Sequence, residues 1–187
     1  ESLTVREGLK NERTIKVHEL YLGYKQLVKS DDEIITAIRF LKPKSDFRFN
    51  FEKVCKRTYL DIATVNTAIS MTVDSIPGEE WIPPALRGEL VVSNPSGKDI
   101  HTHLKATDTW IAEAHVAAGG VAPIPLYLKE TSAFLKGKSV NAETIAAANE
   151  IMQSEISPIS DVRGTAEYKR LLLQQLFAAH FVQIFGA

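Results

Sequence analysis

Segments with β-strand patterns fill most of the first two thirds of the chain, and segments with helix patterns follow them. Branched, aromatic or small residues give strand patterns to four segments, at about 34–41, 47–56, 62–73 and 109–118. From Leu126 onward three helices are predicted, and Asn141 and Thr165 are good N-caps for the second and the third. This order predicts an α+β fold, a two-layer sandwich whose antiparallel sheet is covered on one face by about three C-terminal helices.

The size and charge of the chain narrow its class. A length of 187 residues suits one compact domain, so residues 1–187 are expected to form a single domain. The formal net charge of −1 provides no basic field for nucleic acid, and no apolar run approaches the ~20 residues that cross a bilayer. The single cysteine, Cys55, excludes an internal disulfide and favours a reducing compartment, so a cytoplasmic location is expected.

The usual marks of catalysis are missing from the sequence. His101 and His103 form an HxH pair, but zinc sites normally use at least three protein ligands, and the best third candidate, His115, lies in an apolar strand. Neither a nucleophile elbow (GxSxG) nor a glycine-rich nucleotide loop (GxGxxG or GxxxxGK[ST]) occurs. We therefore expect no catalytic residue and no metal site in this chain.

The strand at 47–56 contains a conflict of alternation. Three phenylalanines at odd positions predict a buried face, which would also bury Cys55. Lys53 is odd as well, and burying a lysine without a partner is costly. Two solutions stay open: a bulge near Glu52–Lys53, or a sheet face left uncovered at that end.

The entry to the last helix, EISPISDVRGTAEYKR (155–170), crowds acids, arginines, a glycine and a tyrosine together. Helix capping explains the crowd: Asp161 and Thr165 are predicted as caps, with Arg163 tied to a carboxylate or to backbone carbonyls. The expected buried face of this helix consists of Tyr168, Leu172, Leu176 and Ala179.

Four ordered motifs resemble a known family. PISDVRGTAEYKRLLLQQL is similar to the P-x-S-D-x-R-G-S-A-E-Y-R-R segment that opens the last helix in the flavoprotein subunits of molybdenum hydroxylases. The other three are KVHELYLGYKQLVKSDDEIITAIRFLKP, FEKVCKRTYLDIATVNTAI and HVAAGGVAPIPLYLKETSAFLKGK. Among the members, the resemblance is greatest to the C-terminal domains of CO dehydrogenase flavoproteins and of bacterial xanthine dehydrogenase small subunits.

The resemblance implies a site for FAD. Lys53 falls on the family's flavin-contacting lysine, which reaches the N1/O2 edge of the ring, and Ile35 falls on the aliphatic residue that packs on the flavin. Arg57 and Asp61 fall on the charged loop next to the flavin. Where animal enzymes have an acidic pair in this loop, the present chain has Leu60-Asp61, which puts tuning of the flavin by the loop in doubt.

The resemblance also implies partners. The glycine-rich FAD-binding domain of the family has no counterpart in this chain, so FAD is expected to bind only together with that domain of the same subunit. The molybdenum cofactor and the iron–sulfur clusters are expected on other domains or subunits, and electrons would pass from molybdenum, through the clusters and FAD, to NAD. The substrate would be a purine in a xanthine dehydrogenase-like enzyme, and the isolated fragment would not be catalytic. The alternatives are a structural or assembly module without flavin contact, or a small-ligand domain with a closed pocket of its own.

Overall fold

The computed structural model of the chain describes residues 2–7, 11–57, 62–75, 89–93, 99–103 and 109–185. Within these ranges the strands are β1 (Ser2–Glu7), β2 (Asn11–Lys16), β3 (Tyr21–Gly23), β4 (Gln26–Leu27), β5 (Glu33–Arg39), β6 (Phe47–Val54), β7 (Val65–Ser75), β8 (Glu89–Ser93), β9 (Asp99–His103), β10 (Thr109–Gly119) and β11 (Leu126–Tyr127). The α-helices are α1 (Lys129–Leu135), α2 (Ala142–Glu155) and α3 (Ala166–Phe185). Strands precede helices, as the sequence pattern predicts.

A four-stranded antiparallel sheet, here called the central sheet, has the strand order β11-β10-β7-β6. Strands β6 and β7 pair without a break from Phe47 opposite Thr72 to Val54 opposite Val65. Strands β7 and β10 pair over most of their length, with one register shift between Ile111 and Glu113. Three of the four predicted strands, those near 47–56, 62–73 and 109–118, therefore lie side by side.

The fourth predicted strand lies elsewhere. Residues 34–41 do form a strand, β5, but it pairs with β1 in a separate three-stranded sheet of order β2-β1-β5. The prediction that this segment joins the central sheet is wrong, because β1 provides the backbone hydrogen-bonding partners of β5. Two further hairpins, β3-β4 and β8-β9, complete the β-structure of the described residues.

All three helices pack on one face of the central sheet, which confirms the α+β architecture. The buried core contains alternate residues of β7 and β10, together with side chains of every helix, among them Ile69, Met71, Val116, Leu135, Met152 and Phe177. The three-stranded sheet has a smaller core of its own, made by Val5, Ile15 and Leu20. No helix within the described ranges has the length and apolar character needed to cross a membrane.

The helices begin where the sequence predicts. The Asn141 side chain accepts a hydrogen bond from the backbone N–H of Thr144 at 2.8 Å, so it caps α2. Helix α1 is capped from outside its own sequence: Glu155, at the end of α2, accepts from the backbone N–H groups of Glu130 and Thr131 at 2.9 and 2.8 Å. This carboxylate satisfies two N–H groups that have no partner inside the helix and ties α1 to α2.

An ion pair fixes the start of β5. Both carboxylate oxygens of the buried Glu33 accept from Arg13, each at 2.7 Å, and one also accepts from the backbone N–H of Ser30 at 2.8 Å. The Arg13 guanidinium is the main cause that lowers the pKa of Glu33 to about 2. This pair holds the strand that carries Ile35, one of the predicted site residues.

Candidate functional site

The face of the central sheet opposite the helices is here called the open face. Its side chains alternate with the buried ones along β6, β7 and β10. The strand registers arrange them in four cross-strand rows: Phe47–Thr72–Glu113, Phe49–Ser70–His115, Phe51–Ala68–Ala117 and Lys53–Asn66–Gly119. The middle of the open face is therefore a surface of small side chains, and the phenylalanines of β6 lie along one border of it.

The prediction that the phenylalanines of β6 face the core is wrong. Phe49 and Phe51 are 60% and 51% exposed, and Cys55, expected in the core, is only half-buried. The helix layer meets the other face of β6, where the Asn50 amide lies 2.9 Å from the imidazole of His180 on α3. A polar residue is needed at that position because the buried imidazole requires a hydrogen-bond partner.

The same geometry resolves the conflict at Lys53. The register of β6 with β7 is continuous through Lys53, so no bulge occurs near Glu52. Lys53 shares the open face with the phenylalanines and its side chain is exposed. Its ammonium group makes no hydrogen bond and no ion pair within the part of the chain that the structure describes. Of the two solutions, an uncovered face at this end is the one found.

Two glycines shape the end of the open face next to Lys53. Asn66 is paired with Lys53 on one side and with Gly119 on the other. A Cβ at Gly119 would lie 2.8 Å from Asn66 Oδ1, so the amide lies against the bare backbone of this glycine. Gly120 has φ +82°, and a Cβ there would lie 2.3 Å from the carbonyl oxygen of Thr64. The glycine pair thus makes a tight turn that brings the start of β7 close to the end of β10.

The structure separates the other predicted cofactor-binding residues. Ile35 lies on β5 of the three-stranded sheet, not on the central sheet, and is 41% exposed. Arg57 follows β6 directly and is exposed. Asp61 lies outside the described residues. Lys53 and Arg57 are therefore neighbours at one end of the central sheet, whereas Ile35 belongs to a different sheet.

The opposite border of the open face carries two histidines around one tyrosine. His115 Nδ1 lies 2.8 Å from the Tyr127 hydroxyl, and the ring of His18 stacks on Tyr127 with 5.5 Å between centroids. His115, in the strand expected to be apolar, is exposed, and its Nε2 lies 3.5 Å from a carboxylate oxygen of Glu113. The side chains of His101 and His103 lie outside the described residues. Among the residues that the structure describes, no group of three or more side chains could hold a metal ion.

The entry to α3 is built by capping, as predicted for Thr165. The Thr165 hydroxyl accepts from the backbone N–H of Tyr168 at 3.1 Å, and the Ser160 hydroxyl accepts from that of Ala166 at 3.0 Å. Asp161 and Gly164 close a turn through two backbone hydrogen bonds of 3.0 and 3.1 Å. Of the predicted buried face of α3, Leu172 and Leu176 are buried, but Tyr168 is 39% exposed because its ring packs over Gly164.

The prediction that Asp161 caps α3 is wrong, because the partners of its carboxylate do not include a backbone N–H of the helix, which begins at Ala166. The Asp161 carboxylate accepts from the backbone N–H of Arg163 at 2.8 Å and forms an ion pair of 2.9 Å with the ammonium group of Lys169. Lys169 is only 2% exposed, and its second partner is the carbonyl oxygen of Ile159 at 2.7 Å. The hydrogen bond from Lys169 is the main cause that lowers the pKa of Asp161. Arg163 also forms the predicted contact with a carboxylate, an ion pair of 3.8 Å with Asp161, so Lys169 is the closer of the two cations.

This entry segment lies beside the Lys53 end of the central sheet. The ammonium group of Lys56, three residues after Lys53, donates to the backbone carbonyl of Val162. The side chains of Ile159 and Val162 are themselves largely exposed. The cationic side chains of Lys53, Lys56 and Arg57 thus lie next to an exposed apolar surface. This end of the domain suits a partner with an anionic and an apolar part.

His180 is a buried titratable residue that the sequence reasoning missed. Its ring, fully buried on α3, lies between β6 and β7, with Nδ1 2.9 Å from Asn50 Nδ2 and Nε2 3.5 Å from Thr67 Oγ1. The Asn50 amide nitrogen also donates to Glu52, which makes His180 Nδ1 the acceptor. Burial lowers the pKa of His180 to about 4, so the ring is neutral at physiological pH. The available signal was its spacing of three and four residues from the core positions Phe177 and Leu176.

Comparison of the sequence with known proteins finds one family match and two relatives. Residues 100–184 match the family described as CO dehydrogenase flavoprotein C-terminal domain. Xanthine dehydrogenase 1 of Arabidopsis thaliana is 24% identical over 174 residues, which cover 92% of this chain and 11% of that protein. The nicotine 6-hydroxylase medium subunit of Paenarthrobacter nicotinovorans is 28% identical over 120 residues, which cover 61% of this chain and 42% of that one.

Solved structures share the fold. A carbon monoxide dehydrogenase from Hydrogenophaga pseudoflava superposes with a TM-score of 0.70 at 21% identity, over 95% of this chain and 50% of that chain. Quinoline 2-oxidoreductase from Pseudomonas putida 86 gives a TM-score of 0.68 at 16% identity, over 98% and 51%. This chain therefore spans about half, or less, of the proteins that it matches.

The solved structures show the class of fold: an α+β domain with an antiparallel sheet and a helical layer. The family match covers residues 100–184, and the two relatives are 24% and 28% identical to this chain. They confirm the predicted resemblance to the C-terminal domain of the FAD subunit of molybdenum hydroxylases.

Proposed function

We propose that this chain shapes the isoalloxazine end of an FAD site and that Lys53 is its main contact with the flavin. One observation carries the proposal: Lys53 stands exposed at the end of the open face, without a hydrogen bond or ion pair among the described residues. The buried Lys169 is paired with Asp161, whereas the exposed ammonium group of Lys53 is available to a ligand.

The residues around Lys53 fit a flavin on chemical grounds. The ring system of a flavin is planar and largely apolar, with a polar pyrimidine edge, and bound FAD supplies the electron-transfer chemistry. The open face provides a surface of small side chains such as Ala68 and Ser70, with the ammonium group of Lys53 at one end. Because reduced flavin carries negative charge near N1, the Lys53 ammonium would favour the reduced state.

In the complete enzyme the FAD-binding domain of the same subunit would hold most of the cofactor. Iron–sulfur clusters and a molybdenum cofactor on other domains or subunits would deliver electrons taken from a substrate such as a purine. FAD would then pass them to NAD, in a soluble, cytoplasmic enzyme of the xanthine dehydrogenase type. By itself this chain would be the non-catalytic part of an FAD-dependent oxidoreductase, and Ile35, Arg57 and Asp61 would complete its flavin wall.

Replacement of Lys53 tests the proposal. In the complete FAD-containing subunit, Lys53→Met should leave the fold intact and lower the reduction potential of the flavin, because the reduced form loses its counter-charge. The matched control is Lys129→Met, which removes the same charge from an exposed position on α1, away from the open face. An unchanged potential in Lys53→Met, with FAD still bound, would contradict the proposal.

A second candidate is a structural or assembly module without flavin contact. The exposure of Phe49 and Phe51 favours it, since neighbouring exposed aromatic side chains are typical of surfaces that bind other protein surfaces. Under this alternative, Phe49→Ser would weaken association with the FAD-binding domain, while Lys53→Met would leave the flavin potential at its wild-type value.

A further inference from the structure

The row of the open face that contains Lys53 has a second polar group. Asn66 is the direct cross-strand neighbour of Lys53, and its side chain lies on the same face because Val65 and Thr67, on either side of it, are buried toward the helices. Opposite pairs in an antiparallel sheet have Cα atoms about 4.5–5.5 Å apart. An amide and an ammonium group are therefore available side by side at the end of the open face.

The Asn66 amide is held in place but has no partner. It packs against the bare backbone of Gly119, where any side chain would collide with both of its terminal atoms, at 2.8 and 2.9 Å from a Cβ. It makes no hydrogen bond within the described residues, although the side chain is half-buried. The amide offers one donor and one acceptor, and a ligand that supplies the complementary acceptor and donor can bind it.

The pyrimidine edge of a flavin supplies that combination. It presents C2=O, N3–H and C4=O in sequence, so an amide can accept from N3–H through its oxygen and donate to a carbonyl through its nitrogen. We propose that Asn66 binds this imide edge, with Oδ1 accepting from N3–H, while Lys53 lies at the adjacent N1/O2 position. This inference rests on the proposed flavin site and adds a residue that recognises the imide edge of the cofactor.

Methylation of the cofactor at N3 gives a direct test. In the complete subunit, the wild-type protein should bind FAD about tenfold more tightly than 3-methyl-FAD, since one hydrogen bond is lost and the methyl group meets the amide oxygen. Asn66→Ala should lose most of this discrimination. The control Ser70→Ala, which changes an open-face residue of the same strand two rows away, should keep it.

A second variant guards against a general loss of structure. Asn66→Asp keeps the shape and an acceptor for N3–H, so it should retain the preference for FAD over 3-methyl-FAD. Equal binding of the two cofactors by the wild-type protein, or full discrimination by Asn66→Ala, would overturn the assignment of Asn66. Either result could occur while Lys53→Met still lowers the flavin potential, so failure of this inference is distinguishable from failure of the flavin site itself.

Discussion

Acidification to about pH 5 should destabilise the protein through the buried His180. The neutral ring is buried, and its Nδ1 accepts from Asn50, so a proton at Nδ1 would place two donors face to face. The pKa of His180 is about 4 in the folded chain and 6.5 when the group is exposed. Because the folded pKa is depressed, the unfolded state binds more protons between these values, and stability is lost as pH falls below about 6.5.

The size of the effect follows from the two pKa values. Linkage gives a loss of about 2 kcal/mol in the free energy of unfolding between about pH 7.5 and about pH 5. Glu33, whose pKa is lowered to about 2 in the folded state from an ordinary value of 4.5, contributes mainly below that window. Urea titrations at several pH values, followed by far-UV circular dichroism, would measure the loss.

Replacing the ring identifies the responsible group. His180→Gln should be less stable than the wild-type protein at neutral pH, but its stability should change little between about pH 7.5 and about pH 5. His115→Gln, an exposed histidine of β10, should keep the wild-type pH dependence. If His180→Gln lost as much stability on acidification as the wild-type protein does, the role assigned to the buried imidazole would be wrong.

Three further changes test how the helical layer and the tight turn are held. Glu155→Ala should lower the free energy of unfolding by about 1–2 kcal/mol, measured by urea titration, because the first turn of α1 loses its cap. Gly120→Ala should lower the melting temperature more than Gly137→Ala does. Both glycines have positive φ, but only a Cβ at Gly120 would collide with backbone atoms. Equal losses in melting temperature would contradict this reasoning. Asp161→Ala should be less stable than the double variant Asp161→Ala/Lys169→Met, since the single change leaves a buried ammonium without its carboxylate; the opposite order in urea titration would exclude this role.

The sequence predicted the positions of strands and helices better than it predicted which face of the central sheet the helices cover. The strands near 47–56, 62–73 and 109–118 and the three helices were found almost where period and capping residues placed them. Alternation along β6 showed that Phe49, Phe51 and Lys53 share a face, but it could not show which face the helices cover. The buried His180 on α3 decided that question, because it requires a polar neighbour such as Asn50.

Long-range pairing was the other limit. Segment 34–41 reads correctly as a strand, but which sheet it joins depends on β1 and β2, whose patterns were too weak to identify as its partners. The capping prediction at Thr165 succeeded because capping is local. The pairing of Asp161 with Lys169 was missed because Arg163 lies nearer in sequence, whereas the first turns of α3 bring Lys169 back to Asp161.

The central claim is that Lys53 contacts the flavin, and the distance between its ammonium nitrogen and the flavin ring tests it most directly. A crystal structure of the complete subunit with FAD would give this distance. The account predicts that Lys53 Nζ lies within hydrogen-bonding range of flavin N1 or O2, at about 2.7–3.2 Å. A Lys53 side chain that points into solvent or onto another protein surface, with the flavin ring out of its reach, would contradict the account.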